Sequence, residues 1–347
     1  MASLRLLYAF FGLILALAVS PASGRCTPSV SSISHSNGTC KNPSQRKAWH
    51  TLEDNEKQEY LDAVKCLFNS PPKANITGAK NRYDELHWVH IHQSNIIHGV
   101  GAFLPWHRYY MRVYEQVLQT ECNYTGGQPY WDEQRDVSLD PSLAAASVWG
   151  ADDLSFGTAS NGCVTDGAFA NTTLHLNQLW GVANYSSYCL SREYDESYWS
   201  WANTSYADAC MATTNYSDAW QCWVAKPHSS AHLAVGGTLS DQAGSPGDPL
   251  FFLHHANLDR LWWKWQSQDL ETRLVEMNGQ SIPSLSDLTT NGWLFPSSSV
   301  MDYDNDEYNT TTLNHNLWMV GIVPNTTIAE VMDIRGETIC AEYIEAQ

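Results

Sequence analysis

Apolar positions in this chain recur at helical spacing in a few well-separated stretches. Over 51–68 (TLEDNEKQEYLDAVKCLF), Leu52, Tyr60, Leu61, Val64 and Leu67 mark one face, and Thr51 with Asp54 three residues later reads as a start signal, so a helix is predicted there. His87 to Glu121 holds a second and a third helix, broken at Gly99 and Gly101. Pro227 is expected to open a further helix, closed by Gly236 and Gly237. Asp248-Pro249 reads as an N-cap followed by proline in the first turn, starting a helix that runs to Gln266. Residues 136–220 are rich in Asn, Ser, Thr, Gly and Asp and read as long loops with short helical pieces. Residues 25–50 read as irregular. Beyond Leu270 the pattern is mixed, with short strands possible in the last thirty residues. No linker or low-complexity tract divides the chain.

Composition narrows the setting. Of the 347 residues 43% are hydrophobic, enough to bury a sizeable core, and 15 tryptophans with 17 tyrosines make that core aromatic. Arg5, the apolar run Leu6 to Val19 and the small residues Ser20 to Gly24 have the form of a secretory signal over residues 1–24. That run is shorter than the roughly 20 residues a membrane span requires. Nine cysteines, from Cys26 to Cys340, all lie beyond it. Glycosylation sequons begin at Asn37, Asn75, Asn123, Asn171, Asn184, Asn203, Asn215, Asn309 and Asn325. Both patterns fit an oxidising, extracellular setting with disulfides, and the odd cysteine count leaves one thiol unpaired or intermolecular. A formal net charge of -18 weighs against nucleic acid and anionic membrane as partners. It leaves a neutral or cationic small substrate as the better fit.

The candidate chemistry lies in two histidine clusters. The first is HWVHIHQSNIIHGVGAFLPWHRYYMRVYE, from His87 to Glu115. The second is HSSAHLAVGG with DPLFFLHHANLDRLWWKWQ, from His228 to Gln266. Only His35, His50, His175 and His315 lie elsewhere, and they read as surface or hydrogen-bonded core residues. Neutral imidazole is the commonest metal ligand. Two sets of three histidines, with no cysteine or interleaved carboxylate, point to a pair of metals, and an all-imidazole pair most resembles copper. His228 and His232 are spaced i, i+4 and share a helix face. The segment lacks the glutamate of a zinc-protease HExxH helix. His254 and His255 point about 100° apart on one helix, so one of them faces the metal readily. An internal echo selects His255: Phe103 precedes His107 by four residues, as Phe251 precedes His255. Asp259, one turn on, is a candidate for orienting the His255 ring. On the first side His98 and His107 are joined by one of His87, His90 and His92.

FLPWHRYY, PYWDE and DPLFFLHHANLDRLWWKWQ resemble the signature segments of the type-3 copper family: tyrosinases, catechol oxidases and haemocyanins. GGQPYWDEQRD and NGCVTDGAFANTT look more like the short secreted polyphenol oxidases of filamentous fungi. The resemblance spans roughly residues 45 to 270. It implies a mainly α fold with a four-helix bundle around two copper ions. It carries the first copper onto His90, His98 and His107, and the second onto His228, His232 and His255. It implies O2 and small phenols as reactants, and one dicopper catalytic domain over 25–347 without a C-terminal lid. Family members that hydroxylate monophenols efficiently often carry Asn directly after the first ligand of the second copper, with an upstream Glu holding a water. Here Ser229 stands in that place, Leu233 follows the next ligand at the pocket entrance, and no Glu occurs between Ala207 and Pro227. Gln221 and Asp218 remain as candidates to hold the water. With no cysteine between Cys66 and Cys122, a thioether to a first-copper ligand is not expected. The expected activity is oxidation of o-diphenols to o-quinones, with weak monophenolase. A true tyrosinase, an o-aminophenol oxidase and, more remotely, an oxygen carrier are the alternatives.

Overall fold

The computed structural model describes residues 40–346, apart from 159–160, 180–181, 291, 298–305 and 307–308. The leader expected over 1–24, Cys26, His35 and the sequon at Asn37 lie outside them. Strand β1 (Ser44–Lys47) precedes three long helices, α1 (Asp54–Asn69), α2 (Arg82–Gln93) and α3 (Phe103–Glu121). Helix α4 (Glu133–Leu139) leads into very short strands: β2 (Gly162–Cys163), β3 (Thr173–Leu174), β4 (Asn177–Leu179), β5 (Val182–Asn184), β6 (Tyr188–Cys189) and β7 (Ser191–Arg192). They pair antiparallel as β2–β7, β3–β6 and β4–β5. Short helices α5 (Glu196–Trp199) and α6 (Thr204–Met211) follow, then α7 (Tyr216–Trp223), a π-helical turn (Val224–His228) and α8 (Ser229–Val235). Helix α9 (Leu250–Gln266) is succeeded by α10 (Leu270–Arg273) and α11 (Leu285–Thr290). Strands β8 (Asn316–Leu317) and β9 (Thr326–Thr327) pair antiparallel, and β10 (Ala341–Ile344) pairs parallel with β1. The fold is helical with few short strands, as expected.

Helix α9 runs through the core. Of its residues only Trp263 and Lys264 escape burial, the pattern of a helix apolar on nearly all sides. Helix α3 lies along it, and α1 packs on α2 and α3. Tyr114 of α3 stacks on Phe252 of α9 with centroids 3.5 Å apart and planes 7° from parallel. Phe68 of α1 stacks on Tyr83 of α2 at 3.9 Å. Such pairs add about 0.5–1.5 kcal/mol each beyond the area they bury.

Local chemistry moves three boundaries from their expected places. The Thr51 hydroxyl donates to Ala48 O (2.8 Å) and closes a 3-10 turn, so α1 starts at Asp54, where the Glu53 N–H donates to Glu56 Oε2 (2.9 Å). Pro227 opens no helix. It sits inside the π turn that makes α7 and α8 one continuous run. A π turn holds an extra residue, and its wider backbone accommodates a ring that has no N–H to donate. Residues 25–50, read as irregular, contain β1, whose partner lies almost 300 residues on (Ser44 opposite Ala341). The expected close of α8 does hold. Gly236 and Gly237 have φ of 67° and 54°, and a Cβ on Gly236 would collide with the Glu193 carbonyl.

Eight cysteines pair as Cys40–Cys340, Cys66–Cys122, Cys163–Cys189 and Cys210–Cys222. A buried ionic network ties the ends of the described chain to the core helices. Arg46 of β1 reaches Glu115 of α3 (2.9 Å) and Asp259 of α9 (3.3 Å). Arg108 donates to Asp259 at 2.5 Å, and the Tyr343 hydroxyl of β10 donates to it at 2.6 Å. Asp259 is thus committed to these donors, where the sequence suggested a partner for His255.

Candidate metal centre

The fold gathers imidazoles from six places. Helix α2 supplies His90, the turn after it His98, and α3 His107. The π turn supplies His228, α8 His232, and α9 both His254 and His255. One chelating atom from each of His90, His98 and His107 lies within 4.8 Å of the others, and the same holds for His228, His232, His254 and His255. His87 and His92 stay outside. His87 Nε2 bonds to Gly244 O at 2.9 Å, and the His92 ring sits 5.3 Å from each of Trp88 and Trp318. His175 and His315 pair with Asp84 and Asp306.

The two groups adjoin. The His107 and His255 rings stack 4.5 Å apart with planes 12° from parallel. The echo seen in the sequence has a physical form: Phe103 packs on His107 (4.4 Å) and Phe251 on His255 (4.0 Å), each four residues ahead on its helix. Spacing i, i+4 puts each phenyl one turn below the imidazole it supports.

Hydrogen bonds set the tautomers. Nδ1 of His90, His98, His107 and His232 bonds to the carbonyls of Ala243, Ser94, Phe103 and Leu239 at 2.6–2.8 Å. A carbonyl only accepts, so Nδ1 carries the proton and Nε2 keeps a lone pair. Nε2 of His90, His107 and His228 is buried with no hydrogen-bond partner among the described residues. His232 Nε2 and His255 Nε2 lie 3.2 Å apart. That spacing suits two imidazoles on one ion, where bonds of about 2.0 Å place ligand atoms roughly 3.3 Å apart. Burial pushes His98 down to about 4 and His232 and His254 to about 3. It also holds His90, His107, His228 and His255 well below the usual histidine range. Neutral rings with orphaned, inward lone pairs are what a cation requires and what solvent cannot satisfy. An all-nitrogen set suits copper.

The sequence reading chose His255 over His254, and the structure brings both together. His254 joins the second group beside His255, their rings 5.1 Å apart. Its Nδ1 is held by Glu133 Oε1 at 2.6 Å, both side chains being 1% exposed. The Ser230 hydroxyl, between His228 and His232, lies 3.4 Å from the other Glu133 oxygen. Burial pushes the Glu133 carboxyl well above its usual range and His254 down, so the pair shares a single proton. A metal cation bound beside it would favour the carboxylate, with that proton on Nδ1. Glu133 was visible in PYWDE, but its partner is 121 residues away. Ser229 is half-buried and donates to Val224 O (3.2 Å), and Leu233 is also half-buried. Gln221 and Asp218 are engaged on α7 itself, with Ser217 O and with Asn215. The disulfide Cys66–Cys122 takes both cysteines that flank the first group in sequence.

Comparison with known proteins agrees with this geometry. The model of the common central domain of tyrosinase matches residues 80–268. Tyrosinase-like protein phomQ1 of Diaporthe leptostromiformis is 29% identical, over 88% of this chain and 78% of its own. N-acetyl-6-hydroxytryptophan oxidase ivoB of Emericella nidulans is 28% identical, over 87% and 93%. Among solved structures, a variant of the polyphenol oxidase from Thermothelomyces thermophila has a TM-score of 0.73 at 26% identity, over 87% of this chain and 89% of that one. The match covers both histidine groups, and the chain belongs to the tyrosinase family, whose centre is a pair of copper ions.

Proposed function

We propose that this protein is a secreted oxidase of o-diphenols, with His90, His98 and His107 holding one copper and His228, His232 and His255 the other. The observation that carries this reading is the pair of buried, neutral, all-imidazole groups joined through the His107–His255 stack. When bound, two coppers supply the two-electron exchange between a catechol and O2. Overall, two catechols give four electrons and four protons to one O2, leaving two quinones and two waters. The chain's own residues provide the frame. Backbone carbonyls at Ala243, Ser94, Phe103 and Leu239 fix four ring orientations, so ligand positions are set before metal arrives. Glu133 fixes His254 and lies beside Ser230, linking α4 to the helices that bear the second group.

The preference for diphenols over monophenols rests on Ser229. Its hydroxyl is turned to the π-turn carbonyl of Val224, and its side chain carries no carboxamide to hold a bound water. Secretion is supported by the disulfides, which form in oxidising compartments. No helix among the described residues is long and apolar enough to cross a membrane. The test is oxygen uptake by the copper-loaded protein with catechol and phenol side by side. Uptake with catechol and little with phenol is expected. Equal, prompt uptake with both makes it a tyrosinase, and uptake with neither ends the reading.

A further inference from the structure

Beyond α11 the chain returns to the first histidine group. Trp293 is half-buried, and its ring lies 5.9 Å from that of His98 with planes 43° apart. The stretch is pinned there. The Trp293 N–H donates to Leu288 O (2.8 Å), Asn95 Nδ2 donates to Leu294 O (2.9 Å), and Gln280 Nε2 donates to Gly99 O (2.6 Å). The Gly101 N–H donates to Gln280 O (2.9 Å), and a Cβ on Gly101 would collide with the Asn278 carbonyl. Three of these pins end on Asn95, Gly99 or Gly101, in the segment that carries His98. One turn therefore sets the positions of both the imidazole and the indole.

The same stretch exposes large apolar side chains: Leu285 at 78%, Leu294 at 52% and Phe295 at 65%. A lone exposed leucine needs no explanation, but three large apolar side chains exposed between Leu285 and Phe295, two of them directly after Trp293, point to binding surface. Nearby, the Asp287 carboxylate lies 3.4 Å from where a Gly99 Cβ would sit, and it disfavours an anionic group at this edge.

We propose that Trp293 determines substrate specificity: its indole walls the substrate site beside His98, and Leu285, Leu294 and Phe295 form an apolar rim that selects phenols with an uncharged, apolar ring substituent. This rests on the phenol-oxidase reading. The indole offers the broadest aromatic face for a phenol ring to pack on, and the rim removes the substituent from water.

The test compares catechol with 4-tert-butylcatechol in wild type, Trp293→Leu and Trp293→Phe. In Trp293→Leu, KM for 4-tert-butylcatechol should rise about tenfold relative to that for catechol, the scale of a lost apolar pocket contact, and the KM ratio of the two substrates should move more than their kcat ratio. Trp293→Phe should keep most of the preference. Binding of 4-tert-butylanisole against anisole, which carry no oxidisable hydroxyl, should show the same loss by calorimetry. A shift equal for both members of each pair, or none, overturns the proposal. If Trp293→Leu does not fold, Phe295→Ser at an exposed position reads the rim instead, and an unchanged preference there also overturns it. Should wild type oxidise no catechol, the function reading fails while the anisole pair still tests Trp293.

Discussion

Glu133 holds His254, the fourth imidazole of the second group, beside the three assigned to copper. A carboxylate behind a ligating imidazole raises its basicity, and its loss lowers metal affinity about 10–100-fold; His254 lies against His228, His232 and His255, so the loss here should fall at the low end of that range. Glu133→Gln keeps the shape but offers an amide that cannot hold the His254 proton in the same way. Chelator competition should show one of two coppers released more easily, the other unchanged. Equal weakening of both would mean that Glu133 acts on the whole core. Ser229 makes a second prediction at this scale. Ser229→Asn restores a carboxamide beside His228 and should raise the ratio of phenol to catechol turnover in oxygen-uptake assays. An unchanged ratio would remove Ser229 from the explanation. The histidine groups were legible because two sets of imidazoles, gathered in two aromatic segments without a cysteine or interleaved carboxylate, suit a pair of metals. Which of His87, His90 and His92 joins His98 was not legible from the residues alone, since it depends on carbonyls of the 243–244 loop, where Ala243 holds His90 and Gly244 holds His87. Trp293 was illegible for a similar reason. Nothing in its local pattern names His98, almost two hundred residues earlier.

At the scale of elements, the long helices could be read from their apolar faces because burial repeats with the helix period. The π turn could not. Its signal is one added residue, and proline at Pro227 looks the same at a helix start as inside a widened turn. Yet this turn sets the rotational phase of α8 relative to α7. Each residue of an α-helix advances about 100°, so deleting exposed Ala225 to regularise the run should swing His228 and His232 away from α9. Copper analysis should then find about one equivalent in place of two, with the first group intact. Retention of both would show that α8 is placed by its packing on α5 and its other neighbours, whatever the length of the turn. Strand β1 was missed because a four-residue polar strand has meaning only beside β10.

For the whole molecule, burial of so many imidazoles has a cost in acid. Burial pushes His87 and His98 down to about 4, and it holds His90, His107, His228, His232, His254 and His255 below the usual range as well. Unfolded, each takes its proton near pH 6.5. Between those limits the unfolded chain binds protons that the folded chain refuses, so stability is full above about 6.5 and falls as pH drops toward 4. Glu115, held below the usual carboxylate range against burial by Arg46, adds a loss of the same sign below its unfolded value of 4.5. Glu133, pushed up, works in the opposite sense, one group against many. Calorimetry of the copper-free protein should therefore give a Tm that declines steadily from pH 6.5 to 4. A maximum near pH 5 would contradict it. Glu115→Gln leaves Arg46 buried without its closest partner and should cost about 3–5 kcal/mol in urea unfolding.

Cys40 and Cys340 are 300 residues apart in sequence, with Cα atoms 5.5 Å apart. In mechanical terms the bond between them is a shunt. Tension applied outside the two cysteines passes directly from one to the other and never enters the helices between. The loop thus isolated contains every histidine of both groups, so a chain tethered or pulled from both sides keeps its imidazoles unstrained. Reduction of that single bond would route the same force through β1, Arg46 and α9, and so toward His255.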